Sequence, residues 1–358
     1  MIARLKLFSI LCAGMLLLAF TSCAATLAVE DDQWDEYLPH SGLSIFDMIN
    51  RQEVVEMTIV TSLDSLILHR KGDDYQPAGL SYVNESGIQL TYDVKIKPRG
   101  KFRRSICDFP PLKIKFAKSQ LEAAGLSNLN ELKLVTHCLD DKARGEGLVM
   151  REYLVYRLYN ELTPNSLRVQ LAKITYQDDK NKDYKVTRWG FLLEDEEELA
   201  KRRGGELCKD MGQSIGDYNV SQEKIVSLFQ YMVGNTDWNA EMLRNVELMR
   251  GSDGKLIPVP YDFDFSTFVS APYARPNMDV GQKSMKQRIF MGLSTSAKDL
   301  YSTFSYFRSK KDGLLDMVYN FDHLDTETRE AMLLYLEDFF KIIAREEVAQ
   351  EIMFAKNF

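Results

Sequence analysis

The sequence predicts an α+β protein in two lobes: a sheet-rich first half, a crossing near residue 194, and a mainly helical second half with an embedded hairpin. Three observations predict it. β-rich runs separated by Gly, Asn and Asp turn signals dominate residues 51–116. Helical periodicity takes over past Glu194 and ends in an apolar stripe of Leu333, Leu336, Phe339, Phe340 and Ile343. With 358 residues, 45% hydrophobic and 11% aromatic, the chain exceeds the usual single-domain size and has ample material for a core.

The elements follow in order. Arg4 and Lys6 precede an apolar run from Leu7 to Phe20 that ends in Thr21-Ser22-Cys23. That is the layout of an export signal over 1–23, its apolar stretch too short to cross a bilayer. Thr21-Ser22-Cys23 resembles a bacterial lipobox, in which Cys23 would be lipidated and tie the mature chain to a membrane. Cleavage near Ala25 or Ala28 without lipidation is the competing reading. Either way the chain is expected to be exported, to the cell envelope, the periplasm or the medium.

Residues 24–50 read as an acidic tether, 51–194 as the sheet-rich lobe and 195–358 as the helical lobe. Strands are expected at 54–60, 65–69, 80–83, 88–96 and 112–116. A helix fits 148–162, where Leu154, Leu158 and Leu162 form one stripe and Pro164 closes it. Two further strands, 169–176 and 184–193, flank the turn Asp178-Asp179-Lys180-Asn181. A charged helix begins at Asp195, an amphipathic one covers about 221–233, and Asp325 caps the last.

Composition excludes some functions. A formal net charge of -7 provides no basic field for nucleic acid. The four histidines, His40, His69, His137 and His323, are scattered without the spacing of a zinc site. Cys107, Cys138 and Cys208 remain after an export signal is removed; one pair can oxidise, and spacing does not choose which.

The chemistry concentrates in Gly234-Asn235-Thr236-Asp237-Trp238-Asn239, then Asn245, then Pro260-Tyr261-Asp262-Phe263-Asp264. A helix runs into Asp237, while Asn245 and Asp262 are expected on short strands joined by Gly251-Ser252-Asp253-Gly254. A carboxylate, an amide and a carboxylate so spaced meet the needs of phosphoryl transfer to a hydroxyl. One acid sits by the nucleophile, and the other two groups hold Mg²⁺ against nucleotide phosphates. The plain alternative is a hairpin with an acidic rim. Asp262 and Asp264 alternate with Tyr261, Phe263 and Phe265, so a strand would put both acids on one face.

Upstream, Arg99, Arg103 and Arg104 surround Gly100, a cationic turn suited either to phosphate oxygens or simply to solvent. Lys113 and Lys115 fall two apart in a strand and share one face, open either to a cleft or to water.

In this order, Arg99-Gly100-Lys101, Pro111-Leu112-Lys113-Ile114-Lys115-Phe116, the segment Glu131 to Glu152 with Arg151-Glu152-Tyr153, Gly190-Phe191-Leu192-Leu193-Glu194 and the Asp237…Asn245…Tyr261-Asp262-Phe263-Asp264 series resemble the spore-coat protein H (CotH) kinase family. The resemblance covers roughly 90–270. The family usually carries Arg-Gly-Asn-Ser and Trp-Asp-x-Asp where this chain has Arg-Gly-Lys-Phe-Arg and Tyr-Asp-Phe-Asp.

The resemblance implies an atypical protein-kinase-like two-lobed fold that moves a phosphoryl group from ATP, with Mg²⁺ or Mn²⁺, to a hydroxyl on a protein acceptor. It implies Asp237 as the catalytic carboxylate and Asn245, Asp262 and Asp264 as metal groups. Arg99, Lys113, Lys115, Glu152 and Glu194 would form the nucleotide side, with Lys115 favoured on the phosphates and Glu152 as the helix partner of a strand lysine. No motif of the family covers 270–358, where Tyr273 and the Arg275-Pro276 region are expected to line the cleft mouth. Two other readings keep the same residues: a non-catalytic surface or periplasmic binding lipoprotein on a kinase-like scaffold, and a nucleotidyl transferase.

Overall fold

The strands of the first half close on themselves. In the computed structural model, which describes residues 42–354, the first half runs α1 (Ile45–Ile49), β1 (Val54–Thr61), α2 (Leu63–Leu68), β2 (Gln76–Val83), β3 (Gln89–Pro98), α3 (Arg103–Ile106), β4 (Leu112–Phe116), α4 (Lys118–Ala123), β5 (Glu131–Val135), α5 (Lys142–Leu162), β6 (Val169–Asp178) and β7 (Lys185–Leu193). The seven strands form one closed barrel in the order β1-β2-β3-β4-β5-β7-β6. Neighbours are antiparallel except at the seam, where β6 lies parallel to β1 with Val54 opposite Leu171 and Thr61 opposite Asp178.

Alternation of side chains fills the barrel. Val55, Met57 and Ile59 of β1, Val94 and Ile96 of β3, Leu112, Ile114 and Phe116 of β4 and Ile174 of β6 all point inward and are buried. Ile45, Phe46 and Ile49 of α1 and Leu63 and Leu66 of α2 join the same core. On β7 the faces differ: Leu192 points inside, while Phe191 and Leu193 point outward onto α5 and belong to the second core. Gly190 makes that close approach work, since a Cβ there would meet Ile174 Cδ1 at 2.5 Å and Val135 O at 2.8 Å.

The second half runs α6 (Glu196–Arg202), β8 (Glu206–Cys208), α7 (Val220–Val233), β9 (Val246–Arg250), β10 (Leu256–Pro260), α8 (Tyr301–Ser309), α9 (Lys311–Tyr319), α10 (Thr326–Ile342) and α11 (Glu346–Met353). β9 is the centre of a three-stranded antiparallel sheet between β10 and β8. Asn219 caps α7 by accepting from Gln222 N, and Asp325 caps α10 by accepting from Thr328 N. Among the described residues no helix is long and apolar enough to cross a membrane.

The α+β class holds, but the protein-kinase-like two-lobed fold does not. A closed, mixed seven-stranded barrel stands where an open sheet lobe was expected. Two features of the chain account for the difference. β5 begins at Glu131 and sets Lys133 between Leu132 and Leu134, with no strand signal beyond three apolar positions, yet it joins β4 to β7. The parallel β1–β6 pairing links residues more than a hundred positions apart, which local patterns do not register. Two local expectations also change. Residues 65–69 fall in and just after helix α2, whose Leu66 is buried in the barrel core, and α5 begins at Lys142 under the cap of Asp141.

Candidate functional site

The site lies at the open end of the β9–β10 hairpin. α7 ends at Gly234 in the left-handed conformation (φ 67°), where a Cβ would collide with Tyr335 Oη and Thr267. The chain then turns through Asn235, whose Oδ1 accepts from Asp237 N at 3.0 Å. Asn245 immediately precedes β9, and Asp262 follows β10 by two residues, so the two stand at one level of the hairpin. Tyr261 N donates to Asn245 O at 3.0 Å across that level.

Asn245 and Asp262 both have positive φ, 52° and 58°, a region that non-glycine residues enter at a cost and that Asn and Asp tolerate best. Asn245 Nδ2 donates to Asp237 O at 2.7 Å and to Asp237 Oδ2 at 2.9 Å. Burial raises the Asp237 carboxyl above its ordinary range. Arg244, 3.8 Å away, and the Asn245 bond oppose the rise, and the Asp262 charge adds to it. The structure thus brings Asp237, Asn245 and Asp262 together.

Asp262 and Asp264 were expected on one strand face. Instead β10 stops at Pro260 and the acids follow in irregular backbone, because Asp262 is left-handed. They converge all the same, on Arg103. Arg103 Nη2 donates to Asp262 Oδ1 at 2.7 Å and to Glu152 Oε1 at 2.8 Å, and Nε donates to Asp264 Oδ2 at 2.9 Å. Tyr273 Oη donates to the same Asp264 oxygen at 2.9 Å. Glu152 and Tyr156 stand one turn apart on α5; Tyr156 Oη accepts from Asp262 N at 2.9 Å.

Phe102, Phe265 and Tyr273 cover the cluster as an aromatic triad, with ring centroids 5.4 to 5.9 Å apart. Burial under this cover pushes the Asp264 carboxyl up to about 7 against the pull of Arg103. Burial likewise raises Glu152. The Cys107–Cys138 disulfide closes α3 four residues after Arg103, fastening the arginine to the loop between β5 and α5. Cys208 is a buried free thiol. The expected pairing of Glu152 with a strand lysine is replaced by Arg103, because α3 delivers a guanidinium into the gap between α5 and the Asp262 loop.

The cationic side divides. Among the described residues the Arg99 guanidinium forms no ion pair, but its charge bears on Glu152, Tyr261 and Lys133, which places it over the Asp262 side of the cleft. Lys133 on β5 ion-pairs with Glu196 and, at 3.9 Å, with Asp195. Burial, together with Arg99, pulls its ammonium down to about 8. Lys113 lies opposite Lys133 in register and pairs with Glu131. Lys115 also pairs with Glu131, at 3.1 Å, and lies by the Tyr75 ring on the outer barrel face; among the described residues no ion pair ties it to Asp237 or Asp262.

Glu194 is fully enclosed. Arg202 holds both its oxygens at 2.9 Å, and Arg168 adds its backbone N–H and Nε at 2.9 and 3.0 Å. The structure does not bring it to Asp262. Cys23 lies outside the described residues.

Three contributors have no signal in the linear reading: Arg103 as the hub of the acids, Lys133, and Glu247, whose carboxyl is raised by burial and faces Lys133. Lys133 was legible only as one of many lysines; its burial comes from cross-strand neighbours.

Among the described residues no group of three or more His, Cys, Asp or Glu side chains is arranged to hold an ion by itself. A magnesium–nucleotide site requires less: one or two protein carboxylates, with phosphate oxygens and water completing the shell. Asp262 Oδ2 and Asn245 Oδ1 form no hydrogen bond among the described residues, so the donor set fits that smaller requirement. Asp264, held by Arg103 and Tyr273, is a support for Asp262 more than a donor. No protein-family profile matches the chain, and no curated protein matches it.

Proposed function

We propose that the chain transfers a phosphoryl group from a metal-bound nucleotide to a hydroxyl, with Asp237 as the base. The observation that carries this reading is the meeting of Asp237, Asn245 and Asp262 at one level of the hairpin mouth, two of them held in left-handed backbone. The motif order shared with the spore-coat protein H kinases supports it. A divalent ion, Mg²⁺ or Mn²⁺, would be held by Asp262 and Asn245 and would supply charge neutralisation on the transferring phosphates.

The chain's own groups supply the rest. Asp237, with its carboxyl raised by burial, takes the proton of the acceptor hydroxyl as the new O–P bond forms and the nucleoside diphosphate leaves. Arg99 faces the phosphates, and Lys133 and Lys113 extend the cationic row behind it. The Arg103 cluster fixes the Asp262 backbone and side chain so that its second oxygen stays at the cleft edge. A protein acceptor, an exported location and lipidation at Cys23 complete the proposal. The Cys107–Cys138 pair supports an oxidising compartment.

The experiment is label transfer by the chain from residue 24, with γ- and α-labelled ATP and Mg²⁺ or Mn²⁺. Transfer of the γ label, lost in Asp262→Ala and Asp237→Asn, is the expected result. Transfer of the α label instead would assign nucleotidyl transfer. No transfer, with no metal-dependent thermal shift by nucleotide, would favour a binding protein in which Arg103 has taken the place of a cation among the acids.

A further inference from the structure

The Arg103 guanidinium stands where a second cation would be held. Protein kinases set two Mg²⁺ ions against the nucleotide phosphates, each through carboxylate or amide oxygens. Asp262 and Asp264 are the two acids of this chain that an additional ion would share, and the oxygens it would need are taken. Asp262 Oδ1 and Glu152 Oε1 accept from the two hydrogens of Arg103 Nη2 at 2.7 and 2.8 Å, and Asp264 Oδ2 accepts from Nε at 2.9 Å. Tyr273 Oη donates to that Asp264 oxygen as well.

Burial closes the same place. Arg103 is 5% exposed, and Glu152 and Asp264 are each 3% exposed. Mg²⁺ keeps several waters in its shell when it meets phosphates, and an enclosed cluster has no room for them. Of the three acids only Asp262 reaches the cleft, with 35% of its side chain exposed. The arginine is also anchored from behind: α3 ends at Ile106, and Cys107 just after it is bonded to Cys138. A buried guanidinium with three charged partners is not displaced by an ion that must first shed its water.

We propose that Arg103 is a built-in cation in the place of a second metal ion, so that the site loads one divalent ion, at Asp262 Oδ2 and Asn245 Oδ1, where a two-ion kinase loads two. Arg103 is then a positioning residue: it holds one oxygen of Asp262 and leaves the other to the ion. The count of one ion per nucleotide rests on the phosphoryl-transfer reading; the exclusion of ions from the Arg103 cluster does not.

Manganese binding, counted by electron paramagnetic resonance on the chain from residue 24, is the test. With a non-hydrolysable ATP analogue the wild type is expected to hold one Mn²⁺. Asp262→Asn should weaken it at least tenfold and Glu152→Gln by no more than about threefold, since Glu152 is not a ligand. Two ions per chain would overturn the proposal. Arg103→Ala reads the cluster without nucleotide. Its three acids should bind Mn²⁺ or Ca²⁺ at least tenfold more tightly than the wild type does. Either ion at about a hundred times its dissociation constant should raise the variant's melting temperature by roughly 5 °C, with little change in the wild type. If the variant does not fold in EDTA, the same ions should restore its fold, which the loss of a merely structural contact would not allow. Arg103→Met fills the space without charge and should gain no more from either ion than the wild type gains. An Arg103→Ala chain that gains nothing in affinity, melting temperature or recovery of fold overturns the proposal, as does an equal gain in Arg103→Met. The two readings fail separately. No Mn²⁺ with nucleotide in the wild type, beside an ion gained by Arg103→Ala, sinks only the transfer reading, and two ions beside transfer of the γ label sink only this one.

Discussion

Two arginine–carboxylate clusters hold this molecule together, and they differ in their charge balance. Around Arg103 stand Glu152, Asp262 and Asp264: three carboxylates to one guanidinium. Around Arg168 and Arg202 stand Asp47, Glu194 and Glu198: three carboxylates to two guanidiniums. In the second cluster the central acid, Glu194, is wholly enclosed, its side chain 0% exposed, and every oxygen has an arginine donor. In the first, Asp262 keeps 35% of its side chain exposed, and its second oxygen has no hydrogen bond among the described residues.

The more nearly balanced cluster, one carboxylate in excess against two in the other, is a clasp between the start of the chain's described part and the ends of β6, β7 and α6. An unbalanced one with an acid at its edge has a remaining affinity for cations, and that affinity faces Arg99 and the hairpin mouth.

Removing the hubs tests the contrast most strongly. Arg103→Ala leaves three carboxylates under an aromatic cover with no counter-charge, and is expected to cost about 3–5 kcal/mol of stability in urea unfolding. Arg168→Ala leaves Glu194 with Arg202 and should cost about 2 kcal/mol. Arg103→Lys cannot fork between Nε and Nη2 and should recover only part of the loss. If both alanine variants cost the same, the charge imbalance has no energetic meaning.

The edge acid supplies the next test. Asp262→Asn keeps shape and one acceptor, and label transfer is expected to fall by about 10²–10³-fold with little change in melting temperature. Asp237→Asn should fall by a similar factor if Asp237 is the base, as proposed. The pH dependence has a defined sign: Asp237 must be ionised to accept a proton, so transfer rises as pH climbs through its raised pKa. Glu194→Gln, in the Arg168–Arg202 cluster, should lower stability and leave the rate per folded molecule unchanged.

Only the first cluster is tied by a disulfide. Cys107–Cys138 closes 31 residues, and the paired serine variant is expected to lose about 3 kcal/mol. Because Cys107 ends the turn that carries Arg103, transfer should fall along with stability, whereas a loss confined to stability would show that Arg103 keeps its place without the bond.

The legible and illegible parts of the chain follow the same division between local and long-range contacts. α7, its Gly234 exit and the Asp325 cap of α10 were readable because their signals lie within a few residues of the structure they cause. Asp237, Asn245 and Asp262 were readable as a group for the same reason: a short hairpin brings them together. Barrel closure was not, since β6 meets β1 through a parallel pairing that leaves no local trace. Arg103 was noticed only as one cation near Gly100; its role depends on acids 49, 159 and 161 residues away. Glu194 shows the converse error, where a carboxylate at the end of a strand looks functional until its two arginines are in view.

The smallest expected effect separates the clusters by pH. Burial raises both Asp264 and Glu198 to about 7, from ordinary values of 3.8 and 4.5. A carboxyl whose folded pKa lies above its unfolded one binds its proton more tightly in the native state. It therefore favours folding at low pH, and that contribution is lost as pH rises from about 4 to about 7. Each group should add a downward slope to stability over that window. Glu198→Gln removes its slope and leaves transfer untouched, because Ser44 and Arg168 are its neighbours. Asp264→Asn removes the other slope and also shifts the transfer pH profile, since Asp264 shares Arg103 with Asp262. Urea unfolding at pH 5, 6, 7 and 8 for both variants reads the difference. A transfer profile that moves with Glu198→Gln would mean that the two clusters are coupled through α5 and the barrel, and that the clasp is part of the site.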